Sequence, residues 1–258
     1  MANTIERFDG RAADYERYRE RYDAKELLSI LREWSGLTSD WLVADVGAGT
    51  GMLSDVFLAN GNRVIAVEPN AGMRAACARL HQGEPRLEVR DGTAEATGLP
   101  TASVDMVANG RALHWFDVPR AMQEFKRVLR PGGWVVVVAG GRTERGREAN
   151  EALTRMLQEF TGDLMYREKA YKVYGDVKEL FDGNEYHHYE RGGEMRMDWE
   201  HVRGMALSLS HAPRVDDPRF PGFEQLLREY FDRYQRDGVL TLETRFWLNA
   251  GRVSSTRR

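Results

Sequence analysis

The residues with the most chemical potential are a glycine turn and an acid that follows it. The run Asp45-Val46-Gly47-Ala48-Gly49-Thr50-Gly51 leaves an apolar segment and opens a helical pattern. Gly47 can take the tight turn, and Gly49 lets the backbone approach a ligand closely. Amide N–H groups at the start of the following helix can hold an anionic group. Glu68 lies 21 residues after Gly47, at the end of a second apolar run. An open α/β sheet places a carboxylate there that accepts both ribose hydroxyl protons. Together these residues point to an adenosine-containing cofactor. The glycines run G-x-G-x-G, with Met52 where a dinucleotide fingerprint has its third glycine, and Asp45 precedes them. A carboxylate beside the turn suits a cation, such as a sulfonium or an ammonium, and repels a pyrophosphate. This disfavours an NAD-dependent oxidoreductase.

The elements that must position these residues follow from periodicity. Strands are expected over residues 41–46, 63–67, 86–90, 103–108 and 134–139, with a turn at 130–133. Helices are expected over 24–34, 52–59, 70–80 (Asn70 as N-cap) and 119–129. Strands alternating with helices imply parallel pairing through crossovers, and the all-apolar stretch Val135–Val138 requires a sheet covered on both faces. After Gly141 the pattern changes. Helices are expected over 147–160, 199–209 and 223–236, with strands over 185–191 and 240–248 as a candidate antiparallel pair. Residues 252–258 read as a loose tail. Residues 141 to about 236 read as a partly inserted cap, with the last strand returning to the sheet.

The bulk numbers fit a soluble chain. Of 258 residues, 42% are hydrophobic and 30% charged, and the net charge of −3 gives no general pull toward nucleic acid or an anionic membrane. One cysteine, Cys77, excludes an intrachain disulfide. No apolar run approaches the length of a membrane span, and the charged first 21 residues lack an apolar leader core. The expectation is a cytoplasmic protein with no membrane or nucleic-acid partner, monomeric or homodimeric.

With these residues in view, the chain resembles the class I S-adenosylmethionine-dependent methyltransferases. Residues 43–51 resemble the family's first motif, and Val64-Ile65-Ala66-Val67-Glu68-Pro69-Asn70 resembles the second-strand motif. Residues 91–95 with Leu99-Pro100 are similar to the adenine-edge motif, residues 104–107 to the fourth strand, and residues 129–134 to the turn before the fifth. The stretch Ala112-Leu113-His114-Trp115-Phe116 is similar to a signature of the trans-aconitate methyltransferase-like (methyltransferase type 11) subgroup. Tyr15, Tyr18, Arg19 and Tyr22 resemble its lid segment. The biotin-pathway carrier-protein methyltransferase has a related fourth-strand motif.

The resemblance implies an open, mostly parallel seven-stranded Rossmann-like sheet with an antiparallel C-terminal hairpin and a helical cap. Its organisation would be an N-terminal helical lid (1–35), a cofactor-binding core (36–141) and a cap or substrate region (142–258). It implies S-adenosylmethionine as cofactor, no metal, and methyl transfer to a small molecule by in-line displacement. Alternatives are a carrier-protein-bound acyl group or another macromolecule as acceptor, or a non-catalytic cofactor-binding protein. Cofactor contacts are expected from Tyr18, Arg19, Asp45, Gly47, Ala48, Gly49, Gly51, Glu68, Pro69, Met73, Gly92, Thr93, Ala94 and Asn109. His114 and Trp115 are expected on the substrate side, with His114 as candidate general base, though a carboxylate acceptor needs none. Thr93 stands where many relatives carry Asp. Asn109-Gly110-Arg111-Ala112 does not match the motif of DNA amino-methylating enzymes. His187 and His188 on one strand face opposite ways, against a joint metal site. The aromatic and cationic run at 166–174, and Ser208 to His211, are candidate substrate-side segments.

Overall fold

A computed structural model describes residues 10–162, 177–181, 184–210 and 212–253. The run at 166–174, His211 and residues 254–258 lie outside them. Seven strands form one sheet: β1 Leu42–Val46, β2 Arg63–Val67, β3 Leu87–Arg90, β4 Val104–Gly110, β5 Leu129–Arg142, β6 Tyr186–Met197 and β7 Leu240–Arg252. Their spatial order is β3-β2-β1-β4-β5-β7-β6. β1 to β5 pair in parallel, while β7 runs antiparallel to both neighbours. The helices are α1 Ala12–Tyr18, α2 Ala24–Ser35, α3 Met52–Ala59, α4 Ala71–Leu80, α5 Val118–Val128, α6 Glu148–Thr161, α7 Trp199–Leu207 and α8 Phe220–Tyr234. This is an open, mostly parallel Rossmann-like sheet with antiparallel C-terminal strands.

Strand alternation divides the apolar core in two. On one face Ala44, Val46, Val107, Val135 and Val137 pack with Met122 and Phe125 of α5. On the other, Val43, Val64, Met106, Ala108, Val136 and Val138 pack with Leu27 and Leu31 of α2 and Val56 and Phe57 of α3. Covering both faces is what makes the valine run of β5 tolerable, and Val135 to Val138 are all essentially buried. A third core lies elsewhere. Leu153 and Leu157 of α6, Val202 of α7, and Phe223 and Leu227 of α8 enclose Met197, Leu240 and Leu242 of the β6–β7 hairpin.

Three differences from expectation have local causes. The turn at 130–133 lies inside β5, as an irregularity in the ladder. Register passes from Val104↔Leu129 to Met106↔Trp134. The looped-out residues are held by Arg130, which donates to both Asp105 carboxylate oxygens at 2.8 and 2.7 Å. β6 and β7 run on as a hairpin to Met197 and Arg252. The charged residues and Gly192-Gly193 hide that length from a hydrophobic pattern, but one solvent-facing side of an antiparallel pair accepts them. Arg252 therefore ends a strand, pairing with Trp134, and does not begin a tail. α8 starts at Phe220, three residues early, because Pro221 occupies a first-turn position where its missing N–H costs nothing.

Candidate active site

The strand order reverses between β1 and β4, and their carboxyl ends border a cavity of about 360 Å³. A crevice at such a switch point is where open α/β sheets bind ligands, and the volume lies in the range of small-molecule sites, roughly 300–1,000 Å³.

The glycine turn forms one wall, and its three glycines serve different ends. All three have positive φ, at 72°, 58° and 93°. A Cβ on Gly47 would stand 2.7 Å from the Ala112 Cβ, so this residue lets the turn meet the opposite wall. A Cβ on Gly49 would meet nothing within 4 Å; this residue borders the cavity itself. A Cβ on Gly51 would stand 2.6 Å from His81 Cε1 and 3.0 Å from Cys77 Sγ. Gly51 does not line the cavity; it caps α3 and accommodates the α4 end. His81 bridges Asp55 Oδ1 and the Cys77 carbonyl, both at 2.8 Å. The Asp55 carboxylate holds the imidazole protonated, with its pKa raised to about 10.

Four amides of this turn are already used. Gly47 and Ala48 donate to the Val67 carbonyl at 2.9 and 3.2 Å, and Gly51 donates to Ala48 at 2.9 Å. Gly49 donates to Glu68 Oε2 at 2.9 Å, and Asn70 to Glu68 Oε1 at 2.8 Å. These are the turn's own amides, distinct from the N–H groups at the start of α3 that can hold an anion. Glu68 is 8% exposed and lines the cavity. Burial raises its pKa, opposed by the two amides and Arg74. Arg74 also donates to the carbonyls of Glu68 and Pro69 and pairs with Asp91.

Two acceptor atoms are buried nearby. Asp45 is fully buried, and its Oδ2 accepts from Ser54 Oγ at 2.7 Å. Asp45 Oδ1 has no hydrogen-bond partner among the described residues. Burial, only partly offset by Ser54, pushes its pKa up to about 7. Asn109 donates its side-chain amide to the Val46 carbonyl at 2.8 Å, and its Oδ1 is likewise without a described partner.

Pro69, Met73, Thr93 and Ala94 line the cavity beyond Glu68. Met73 stands in the first turn of α4, whose Asn70 N-cap accepts the Met73 N–H at 2.8 Å. Gly92 stands behind this wall, where a Cβ would fall 2.9 Å from Val67 Cγ1 and the Thr97 carbonyl. The Thr93 N–H donates to the Ala96 carbonyl at 3.2 Å. The remaining wall is Tyr15, Gly110, Arg111, Ala112, Trp115 and Phe116, with Glu95 and Asp117. Glu95 Oε1 accepts the Asp117 N–H at 2.7 Å, and Asp117 caps α5. Arg111 takes a positive φ of 57°, a costly conformation for a side chain of its size. It donates to the Glu20 carbonyl at 2.8 Å and stacks on Tyr22.

Of the expected residues, the fold brings together Gly47, Gly49, Glu68, Pro69, Met73, Thr93, Ala94 and Trp115 around the cavity. Asp45, Ala48, Gly51, Gly92 and Asn109 form the layer behind. His114 is in neither group; its ring stands 4.9 Å from that of Trp115, outside the lining. Tyr18 and Arg19 turn toward the cap, bonding to Glu200 and Ser208. His187 and His188 go to separate partners, Glu185 and Asn249. Arg111 was not anticipated, because a left-handed arginine leaves no mark in sequence. Asp117 could have been: Asp before Val-Pro is a helix-start signal.

A reversed-order parallel sheet with a buried acid at the end of its second strand is a Rossmann-like arrangement. Residues 44–137 match the family model of the methyltransferase domain. An uncharacterized methyltransferase of Mycobacterium tuberculosis is 40% identical over 126 residues, covering 45% of this chain and 51% of its own. A malonyl-[acyl-carrier protein] O-methyltransferase of Pectobacterium atrosepticum is 36% identical over 128 residues, 48% of each chain. The chain thus spans about half the length of these curated relatives. The solved structure of a candidate type II methyltransferase from Anaeromyxobacter dehalogenans shares the fold with a TM-score of 0.66 at 25% identity. It covers 91% of this chain and 98% of that one. Over residues 44–137 the chain is thus similar to methyltransferase domains.

Proposed function

We propose that the protein binds S-adenosylmethionine in this cavity and transfers its methyl group to a small-molecule acceptor. The observation that carries the reading is the polarity of the turn. The amides of Gly47, Ala48, Gly49 and Gly51 are satisfied internally, so they offer a pyrophosphate nothing. Asp45 Oδ1 and Asn109 Oδ1 are buried acceptors awaiting a donor. Buried polar groups are rarely left unsatisfied, and the electronegative layer these two form behind the cavity wall favours a cofactor bearing an ammonium and a sulfonium. Glu68 would accept the ribose hydroxyls on the lone pairs its two amide donors leave open. Pro69, Met73 and Ala94 offer apolar surface to a flat base.

Bound there, the cofactor supplies an electrophilic methyl on a good leaving group. The protein's part is then alignment and dehydration. Tyr15, Trp115 and Phe116 wall the reacting side and keep water out, and holding two reactants in line accounts for much of such a rate. The chemistry it would supply is displacement at the methyl carbon, with the electron pair of the carbon–sulfur bond leaving on sulfur. His114 acts by supporting Trp115 and not as a base. His114→Ala is expected to keep kcat within about threefold, since general-base loss typically costs about a hundredfold or more. A hundredfold fall in kcat would restore the base role.

The likeness to a carrier-protein O-methyltransferase supports a second reading, an acyl group presented on a carrier protein. Turnover assays separate the two. The chain is incubated with S-adenosylmethionine and free carboxylates, phenols and amines, then with carrier-bound acyl groups, and S-adenosylhomocysteine is measured. Product with free acceptors supports the first reading, and product only with the carrier supports the second. Cofactor binding without turnover in either arm would leave a non-catalytic binder.

A further inference from the structure

The N-terminal helix is fastened to the cap. Arg11 donates to the Leu207 and Ala212 carbonyls, each at 2.6 Å, where α7 ends and its carbonyls lack intrahelical donors. Arg17 and Tyr18 both donate to Glu200 Oε1 in the first turn of α7, at 2.7 and 3.0 Å. Arg19 donates to Ser208 Oγ at 3.0 Å, just beyond its last turn. α1 therefore lies along the whole of α7.

Between these anchors sits a fitted joint. Gly204 is buried inside α7, and a Cβ there would fall 2.1 Å from Tyr18 Cδ2 and 2.4 Å from its Cγ. The ring occupies the space that any other residue at 204 would fill. One helical turn earlier on α1, Tyr15 lines the cavity, and residues three apart share a helix face. Arg19 links the two ends: it bonds Ser208 and lies 5.0 Å over the Tyr15 ring.

We propose that Tyr18 and Gly204 are positioning residues for the cofactor cavity: the ring seated in the α7 notch holds Tyr15 in the cavity wall, so the cap carries the cofactor's cover. This rests on the reading of the cavity as the S-adenosylmethionine site. It makes cofactor retention depend on a helix that contributes nothing to the cavity lining.

The test is Gly204→Ala in the full chain. Alanine is the better helix former, so α7 should keep its structure while the notch closes. Hydrogen exchange is followed in the ligand-free protein, and the S-adenosylhomocysteine Kd by calorimetry. Amides of α1 should exchange about tenfold faster, and Kd should rise about tenfold. Tyr18→Ala should do the same, adding Gly204→Ala to it should cost nothing more, and Tyr18→Phe should restore wild-type affinity. Wild-type exchange in both Gly204→Ala and Tyr18→Ala would overturn the joint. Faster exchange with unchanged Kd would overturn its link to the cavity. If the wild-type chain binds no S-adenosylhomocysteine, the cofactor reading falls instead, and the exchange arm still decides the joint.

Discussion

The half of the molecule around β1, β2 and β4 differs from the half formed by α1, α6, α7, α8 and the outer β6–β7 hairpin. In the first, backbone atoms and short polar side chains define a cavity, and partners are near in sequence: Gly49 with Glu68, Asn70 with Met73, Asp45 with Ser54. In the second, long side chains join distant segments: Arg11 with Leu207, Tyr18 with Glu200, Tyr230 with Ala149. The first half forms the cavity wall from short-range hydrogen bonds. The second is joined to it through α1, whose Tyr15 borders the cavity while Arg11 and Tyr18 bond to the cap.

Substitutions in the two halves should therefore register in different measurements. The largest effect is expected from Glu68→Ala. It removes the acceptor for a ribose and leaves the Gly49 and Asn70 amides unpaired. A loss of about 2–4 kcal/mol in S-adenosylhomocysteine binding follows, read by calorimetry. Retained affinity would break the distinction, since the cavity would not depend on its polar wall. Gly47→Ala comes next. The φ of 72° and the 2.7 Å approach to Ala112 should together cost about 1–3 kcal/mol of stability, measured by urea unfolding.

Asp45 sharpens the comparison through pH. With its pKa raised to about 7, the carboxyl is half protonated in the free protein near neutrality, while a cationic ligand needs it ionised. Cofactor affinity should rise about tenfold per pH unit up to 7 and then level off, and Asp45→Asn should remove that slope. The stability sign is opposite. The raised native pKa contributes stability that is complete below the ordinary value of 3.8 and lost as pH rises to about 7. Ligand-free Asp45→Asn should thus be at least as stable as wild type at pH 8, by thermal unfolding. The smallest effect is expected in the cap: Arg203→Ala breaks a half-exposed ion pair to Glu224 between α7 and α8. It should cost under about 1 kcal/mol and leave S-adenosylhomocysteine affinity unchanged.

The same division decides what the sequence reveals. The strands and helices from Leu42 to Val128 follow from period, caps and glycine turns, all local signals, and Glu68 follows from spacing along one βαβ unit. Gly51 is instructive because its type is legible and its reason is not. It faces His81 and Cys77 on α4, so the pattern suggests a ligand where packing supplies the cause. Tyr18 and Arg19 fail in the same way, since their partners lie some 180 to 190 residues on. The hairpin length was hidden because β7 stabilises β6 through backbone pairing that tolerates glycine and charge. Local chemistry is written locally, and the cap is assembled from encounters that periodicity does not record.

The central claim is that the switch-point cavity takes a cationic adenosyl cofactor and not a pyrophosphate one. Calorimetric titration of the full chain at pH 8 with S-adenosylhomocysteine, and in parallel with NADH, tests it most directly. One saturable site for S-adenosylhomocysteine and no heat with NADH is the predicted result. Binding of NADH at that site, or no binding of S-adenosylhomocysteine, would contradict it.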